Sequence, residues 1–528
     1  MVQGVGIVAE SRVAVARGAT VIYVATMVAL VANTLYFLVL TNLLRSTLDV
    51  GIVTALNLMI WLLVAISILA QPVTSQSPVP APPAVLKFIP ELTARRAQSG
   101  ARRAFWASVT SCALVALVIA AILVIWPGIA VPFLGGSSVK PLFVQLSAVD
   151  VIVLALDQIC IASLMSTKDM RGAAGYTILW SALRYGFASA LLFNYAIEGV
   201  LIGWVIGDAL LFTFVFRRVL AVLPRGVGGS RFSLADFLRY SFYTLLSALL
   251  GYTINQADKL FTLAERGLSQ LAIYNVAIVA ASIAGIAPFA LTMVLLPTLS
   301  TLYASGQTDE MGQIVRHYSR YVSVIVIPFA VGFAAITGVA LRIFGPAYVS
   351  GFVPSVIVSM ASGLTAVGAV YAAVLLAIGK LRWYIAANVL GVAALAIVAY
   401  LAIPFLGLSG PALGRGTLMT VAAALYAYAA RRSGFFGFDV RAFVGAAVSS
   451  APMGAVVFFI LSFFHSFLVQ LVMLPVVIVI GALLYLGALR LLKLLTVQDL
   501  EFIQQLAPSR SHRVISLVAR LAGVSFRE

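Results

Sequence analysis

Long apolar stretches, separated by short polar segments, run through almost the whole chain. The hydrocarbon core of a bilayer is about 30 Å thick and is crossed by roughly 20 mostly apolar helical residues. Backbone groups in lipid must find hydrogen-bond partners within the protein, so each membrane-crossing stretch is predicted to be a helix. Fourteen stretches fit this description, and we number them from span 1 to span 14. They are 19–42, 49–71, 104–126, 142–165, 173–195, 199–216, 240–258, 270–303, 321–342, 353–377, 383–404, 410–430, 442–464 and 468–490.

The composition agrees with this pattern. Hydrophobic residues make up 62% of the 528 residues, charged residues make up 10%, and the mean hydropathy is +1.09. Soluble domains carry about 25% charged residues, so a soluble fold is excluded. The predicted fold class is an all-α polytopic membrane protein with about 14 transmembrane helices, located in the cell membrane. The two cysteines, Cys112 and Cys160, lie in predicted spans and show no disulfide or metal pattern.

The basic residues fix the predicted orientation. With a cytoplasmic N-terminus, most of the 34 Lys and Arg residues fall in cytoplasmic loops and tails. Basic residues favour the cytoplasmic side, so both termini are predicted to be cytoplasmic. An odd number of spans would destroy this asymmetry. The net charge of +17 follows from the same rule, and without a compact basic run interleaved with aromatic residues we expect no nucleic-acid partner.

Two parts of the sequence resemble each other. Residues 168–203 resemble residues 379–414, and Gly199-Val-Leu-Ile-Gly203 corresponds to Gly410-Pro-Ala-Leu-Gly414. Six spans per copy give both copies the same topology, which predicts two six-helix lobes related by a pseudo-two-fold axis along the membrane normal. The predicted organisation is a cytoplasmic tail 1–18, an N-lobe 19–218, a cytoplasmic linker 219–239, a C-lobe 240–432, two further spans at 442–490 and a cytoplasmic tail 491–528.

The first copy contains an insertion rich in Pro and Ser, residues 71–83. Its prolines exclude a continuous helix. Two interpretations remain open: a longer cytoplasmic loop, or an irregular segment that lines a central cavity, where non-helical backbone is tolerated at membrane depth.

Several motifs resemble a known family. They occur in the order Asp258-Lys-Leu-Phe261, Leu295-Leu-Pro297-Thr-Leu-Ser300, Ile343-Phe-Gly-Pro-Ala-Tyr348 and Gly407-Leu-Ser-Gly-Pro-Ala-Leu-Gly414. In this order and spacing they resemble the polysaccharide-biosynthesis, O-antigen-type oligosaccharide flippases of the multidrug/oligosaccharidyl-lipid/polysaccharide exporter superfamily. The resemblance covers most of the chain and is strongest over 236–432. The insertion at 71–83 departs from the family pattern.

This resemblance implies a fold and a function. The expected fold has two lobes around a central cavity, and the expected activity is the flipping of a polyprenyl-linked oligosaccharide from the cytoplasmic to the outer face. The expected partners are the lipid-linked oligosaccharide, the lipid bilayer and the glycosyltransferases of the same pathway. The protein is expected to act as a monomer without a cofactor or metal.

Two arginines lie within predicted spans, where charges are costly and are therefore functional candidates. Arg184 lies in the middle of span 5, and Arg415 lies one turn into span 12. A guanidinium suits the phosphate of a lipid carrier because its planar fork pairs with phosphate oxygens. Both arginines are therefore predicted to bind substrate. The alternatives are a structural ion pair for Arg184 and a snorkelling side chain for Arg415.

Polar residues in the spans are candidates for coupling to a cation or a proton. Asp150, Asp157 and Asp208 lie in spans 4 and 6, where the alternative is pairing with Arg184 or a helix-end cap. A second group consists of oxygen-bearing side chains in spans 7, 11 and 12, a ligand type that hard cations prefer. Its members are Asn255, Asp258, Asn388 and Thr417.

Two other functions compete with the flippase. An exporter of drugs or small cations belongs to the same superfamily, although twelve spans are usual there. A membrane glycosyltransferase or polymerase is the other alternative. The short outer loops, the scattered histidines and the lack of phosphate-binding, metal or nucleophile motifs argue against an enzyme.

The topology can be tested by cysteine accessibility in intact cells. A cysteine at Lys140 or Arg266 is expected to react with an impermeant maleimide from outside, because the charge asymmetry places both residues there. A cysteine at Arg95 is expected to react only after the membrane is permeabilised. Labelling at position 95 from outside would contradict the fourteen-span topology.

Overall fold

The computed structural model describes residues 2–72, 83–223, 232–283, 295–296, 298–492 and 494. Within these residues the regular structure is entirely helical, which confirms the all-α class. The helices are α1 Val2–Leu44, α2 Thr47–Ser67, α3 Val85–Ala94, α4 Gln98–Ile125, α5 Pro141–Ser166, α6 Met170–Val222, α7 Leu234–Ser282, α8 Thr308–Phe344, α9 Phe352–Ala377, α10 Leu381–Leu406, α11 Ser409–Arg432, α12 Val440–Phe463 and α13 Phe467–Leu491.

Ten helices in the described residues are long and apolar enough to cross a membrane, as a multi-pass membrane protein requires. The 53-residue α6 contains both span 5 and span 6, because the backbone turns at Ala196 (φ 46°, ψ −127°) and helix resumes at once. Likewise α7 holds span 7 and the start of span 8, on either side of Gly267. Most of the insertion, residues 73–82, and most of the tail 491–528 lie outside the described residues.

The chain forms two compact units, Met1–Asn275 and Val276–Glu528. The division falls within α7, later than the predicted linker at 219–239. The reason lies in contacts between α7 and α2: the Tyr252 hydroxyl donates to the Leu58 carbonyl and the Thr244 hydroxyl to the Leu69 carbonyl, both at 2.8 Å. The lobe boundaries therefore stay a prediction.

The first unit contains a stripe of glycines along the second segment of α6, residues 197–222. A Cβ atom at Gly199 would clash with the Leu191 carbonyl, and one at Gly203 with the backbone of Ala188. A Cβ atom at Gly207 would lie 2.7 Å from the Cα of Arg184. Small residues at four-residue spacing let helices approach closely in membranes. The two segments of α6 therefore pack backbone against backbone.

The second unit repeats this contact between α10 and α11. A Cβ atom at Gly410 would lie 2.6 Å from the backbone nitrogen of Ile403, and one at Gly414 would lie 2.9 Å from the Leu395 carbonyl oxygen. The corresponding glycines thus perform the same task in both units, which supports the predicted duplication.

The last two helices are attached to α8 within the second unit. The Arg320 guanidinium lies 3.2 Å from the Asp439 carboxylate, just before α12. Arg342 donates to the Gln470 side chain at 2.9 Å, near the start of α13. Apolar packing of Val339 against Val457 and Val477 completes the contact. Spans 13 and 14 therefore belong structurally to this unit.

The glycine contact predicts a large effect of one methyl group. Gly207→Ala is expected to lower the free energy of unfolding by about 1–3 kcal/mol, because the Cβ atom meets backbone atoms that cannot rotate away. Gly186→Ala is the matched control, since a Cβ atom there has nothing within 4 Å and lies on the first segment of the same helix. Thermal unfolding in detergent measures both. Equal melting temperatures would contradict the close approach.

Candidate functional site

The candidate site lies where α5 meets the two segments of α6, all within the first unit. Asp150 and Asp157 are seven residues apart on α5 and therefore lie on one face of that helix. Arg184 lies on the first segment of α6, and Asp208 follows Gly207 on the second. The glycine contact thus brings the segment that carries Asp208 against the backbone of Arg184.

The Arg184 guanidinium holds two carboxylates at once. Its Nη2 atom donates to Oδ2 of Asp150 at 2.8 Å, and its Nη1 atom donates to Oδ1 of the same residue at 3.2 Å. Nη1 also forms an ion pair with Oδ2 of Asp208. This bidentate pairing suits the planar guanidinium fork, and a lysine could not reproduce it. We call Arg184, Asp150, Asp157 and Asp208 the Arg184 network.

Aromatic side chains enclose this network. The guanidinium carbon of Arg184 lies 4.7 Å from the ring centroid of Trp204, a cation–π contact. Tyr36 stacks on Tyr185 at 4.8 Å, and Trp180 packs beside the same tyrosine. Arg184 is 1% exposed and Asp208 is 0% exposed. Electrostatic interactions between such buried groups are much stronger than in water.

Asp157 differs from the other two acids. It is 0% exposed, and neither of its carboxylate oxygens accepts a hydrogen bond from the described residues. Asp208 likewise has one oxygen, Oδ1, without such a donor. Buried polar groups in native proteins are nearly always partnered, so a carboxyl group in this state needs a physical explanation.

The structure thus brings together four of the residues predicted from sequence. It shows the ion pair that was the alternative for Arg184, formed with two of the three predicted acids. A phosphate could reach Arg184 only after displacing Asp150 or Asp208 from a buried position. The substrate role of Arg184 therefore stays a prediction that requires rearrangement.

Arg415 lies on α11 in the second unit and is half-buried. On the same helix, Leu413, Gly416, Thr417 and Thr420 face an apolar cavity of about 470 Å³. Arg415 lies on the other face, because successive helical residues are 100° apart. The remaining walls of the cavity include Ile327, Met360, Leu364 and Phe443, from α8, α9 and α12.

The second predicted cation group is divided between the units. In the first unit, Asp258 is buried and accepts from the Tyr274 hydroxyl at 2.7 Å, and Asn255 donates to the Gly251 carbonyl. In the second, Asn388 donates to the Tyr426 hydroxyl at 2.6 Å, and Thr417 lines the apolar cavity. Whether these four residues form one cation site stays a prediction. Within the described residues, no three His, Cys, Asp or Glu side chains converge as metal ligands.

The aromatic enclosure and the apolar cavity were not predicted from the sequence. One sequence feature could have indicated the enclosure. Trp204 lies between Gly203 and Gly207, which pack against the first segment of α6 at Ala188 and Arg184. No sequence feature indicated the cavity, because its lining consists of ordinary apolar span residues from four helices.

Comparisons with known proteins concern the fold and the family. Residues 93–350 match the family described as "Polysaccharide biosynthesis protein". The structure of the lipid II flippase MurJ in an inward closed conformation matches with a TM-score of 0.70 at 13% identity, covering 88% of this chain and 97% of that chain. The chain therefore has the fold of this flippase. The family match and the shared fold confirm the predicted resemblance.

Transporters of the MATE family match the same fold. The inward-facing structure of one matches with a TM-score of 0.65 at 13% identity, covering 79% of this chain and 98% of that chain. The MATE transporter VcmN of Vibrio cholerae, in its bent form, matches with a TM-score of 0.55 at 15% identity, covering 80% of this chain and all of that one (100%). Among curated proteins, none matches the chain by sequence.

The ion pairs predict a marked loss of stability when Arg184 is removed alone. Arg184→Met is expected to cost about 3–5 kcal/mol, because it leaves two buried carboxylates unpaired. Adding Asp150→Asn and Asp208→Asn is expected to recover most of this loss, since the buried charges are then gone. Thermal unfolding in detergent measures the effect.

The control is Arg95→Met, which removes an exposed pair with Glu91 and is expected to leave stability unchanged. Arg184→Met with wild-type stability would contradict a structural role for the network.

Proposed function

We propose that this protein is a flippase that moves a polyprenyl-linked oligosaccharide from the cytoplasmic to the outer face of the membrane by alternating access. The observation that carries the proposal is the breadth of the likeness to the lipid II flippase, which covers 88% of the chain, against 79% and 80% for the two multidrug transporters. The match of residues 93–350 to a polysaccharide biosynthesis family supports the same class of substrate.

The apolar cavity of the second unit suits the lipid part of such a substrate. Its volume of about 470 Å³ falls within the range of small-molecule pockets. Its walls are apolar apart from Thr417 and Thr420, and they include Phe443 and Ala447 of α12. We assign this cavity to a segment of the isoprenoid tail. Phe443 and Ala447 belong to span 13, which is additional to the twelve spans of the duplicated core. The assignment therefore gives this span a direct role in binding the substrate.

The anionic headgroup needs a cationic ligand. Arg415 and Arg184 are the proposed phosphate ligands, because a guanidinium stays charged and can hold two phosphate oxygens. Arg415 is the more accessible of the two, since it is half-buried whereas Arg184 is 1% exposed. In this proposal Arg184 contacts phosphate only in a state in which it has released a carboxylate.

Ion coupling through the second cation group also remains a proposal. The amide nitrogen of Asn388 donates to the Tyr384 carbonyl and to the Tyr426 hydroxyl. Neither bond uses its Oδ1 atom, which is the proposed cation ligand. Asn255, Asp258 and Thr417 are the other residues proposed for coupling. We further propose that the flippase works as a monomer, with both termini cytoplasmic, and receives its substrate from glycosyltransferases of the same pathway.

The alternative function is export of a small organic cation, which the TM-score of 0.65 to a multidrug transporter supports. The two functions differ in what they require of the apolar cavity. A lipid tail must occupy an apolar space next to the transport path, whereas a small cation need not.

Flipping can be measured with purified protein in liposomes. The probe is a polyprenyl-pyrophosphoryl oligosaccharide with a fluorophore on its sugar, and an impermeant quencher reports the outer fraction. Wild-type protein is expected to accelerate probe movement, and Gly416→Leu is expected to slow it about tenfold or more by filling the cavity, a cost of about 1.4 kcal/mol or more in the barrier.

Gly416→Ala is the matched control. Its Cβ atom would make ordinary contacts of 3.5 Å with Ala361 and 3.6 Å with Ile357, so wild-type flipping is expected. Uptake of a fluorescent organic cation by the same liposomes tests the alternative. Transport of that cation without movement of the lipid probe would reject the flippase.

A further inference from the structure

The Arg184 network contains three carboxyl groups and one guanidinium. All four side chains are at most 1% exposed. Both terminal nitrogens of the guanidinium are engaged by Asp150 and Asp208, with Trp204 packed against its face. None of these contacts involves Asp157, and neither of its oxygens accepts a hydrogen bond from the described residues.

An ionised Asp157 would be very costly in this place. A carboxylate that leaves water needs hydrogen-bond donors or a paired cation to offset its lost hydration, and without them the penalty is several kcal/mol. Neither oxygen of Asp157 has a donor among the described residues. A neutral carboxylic acid avoids most of this penalty.

The groups around Asp157 make a further negative charge unfavourable. Asp150 lies on the same face of α5, Asp208 and Arg184 approach from α6, and Cys160 lies one turn further along α5. Cys112 of α4 faces Cys160 in turn. The single positive charge in this set is shared by two acids already. Like charges repel strongly in a medium of low dielectric constant, so ionisation of all three acids is disfavoured.

A proton is the ligand that these residues suit. Within the part of the chain that the structure describes, no three metal-ligating side chains converge. A carboxyl group whose oxygens have no donor among the described residues avoids the cost of a buried charge by holding a proton. We propose that Asp157 binds a proton, and that its release drives Arg184 to change carboxylate partners during transport; the coupling, but not the proton binding, rests on the proposed flippase function.

The step itself is an acid dissociation followed by an exchange of ion pairs. The O–H bond of the Asp157 carboxyl group breaks, the proton passes to water, and the electron pair stays on the carboxylate. This new charge competes with Asp208 for Arg184. Since Asp208 belongs to the second segment of α6, its release removes the ion pair that joins that segment to Arg184 on the first segment.

Proton binding can be tested without any transport. Infrared spectra of the purified protein in lipid at neutral pH are expected to show a carbonyl band of a protonated carboxylic acid that shifts in heavy water. Asp157→Asn is expected to remove this band, whereas Asp236→Asn, at an exposed position in the first turn of α7, is expected to leave it unchanged. A band that survives Asp157→Asn, or that Asp208→Asn removes instead, would overturn the assignment.

The coupling is tested by flipping of the same fluorescent lipid probe under an imposed pH gradient, acid on the outer face. Wild-type flipping is expected to accelerate about tenfold under the gradient, as a bias of about 1.4 kcal/mol would give. In Asp157→Asn the rates with and without the gradient are expected to become equal. An Asp157→Asn variant that still responds fully would overturn the coupling. A wild-type protein that has the infrared band but moves no probe would reject the flippase function and leave proton binding standing.

Discussion

The candidate site depends on one steric condition: the two segments of α6 can lie side by side only because the second segment has no side chains at its contact positions. Gly199, Gly203 and Gly207 place their backbone atoms directly on the first segment. In a bilayer the hydrophobic effect does not drive helices together, so such close packing is a main source of affinity between them. The contact also fixes Asp208 beside Arg184. A steric feature of the sequence thereby determines an electrostatic one.

Much of this arrangement could be predicted from sequence, and the limits have physical causes. The rule that intramembrane charges pair with one another was enough to connect Arg184 with Asp150 and Asp208. The same rule did not distinguish Asp157 from Asp150, because both lie on one face of α5 and the choice depends on helix rotation. Rotation and tilt are set by packing, and helices that are apolar on every face leave no periodic signal for them. For the same reason the contact of α7 with α2 was not predicted.

The backbone supports the duplication in a way that is independent of sequence similarity. Ala196 has φ 46° and ψ −127°, and Gly407, at the corresponding place, has φ 56° and ψ −127°. Lys168 and Gly379 likewise both have positive φ values, 65° and 72°. These conformations suit glycine, and two non-glycine residues adopt them in the first copy. The fold therefore imposes the same turns on both copies, even where the local residue disfavours them.

The two copies differ where the charges lie, and this difference bears on function. In the offset that aligns the glycines, Leu395 takes the place of Arg184 and Met419 the place of Asp208. Apolar residues therefore suffice for close packing at these two positions. Buried ion pairs in general stabilise a protein little more than well-packed apolar residues do. A gain in stability therefore does not explain the three acids and the arginine of the first unit. For a transporter of an amphiphilic substrate, a polar network that can exchange partners in one copy and an apolar cavity in the other form a consistent division of tasks.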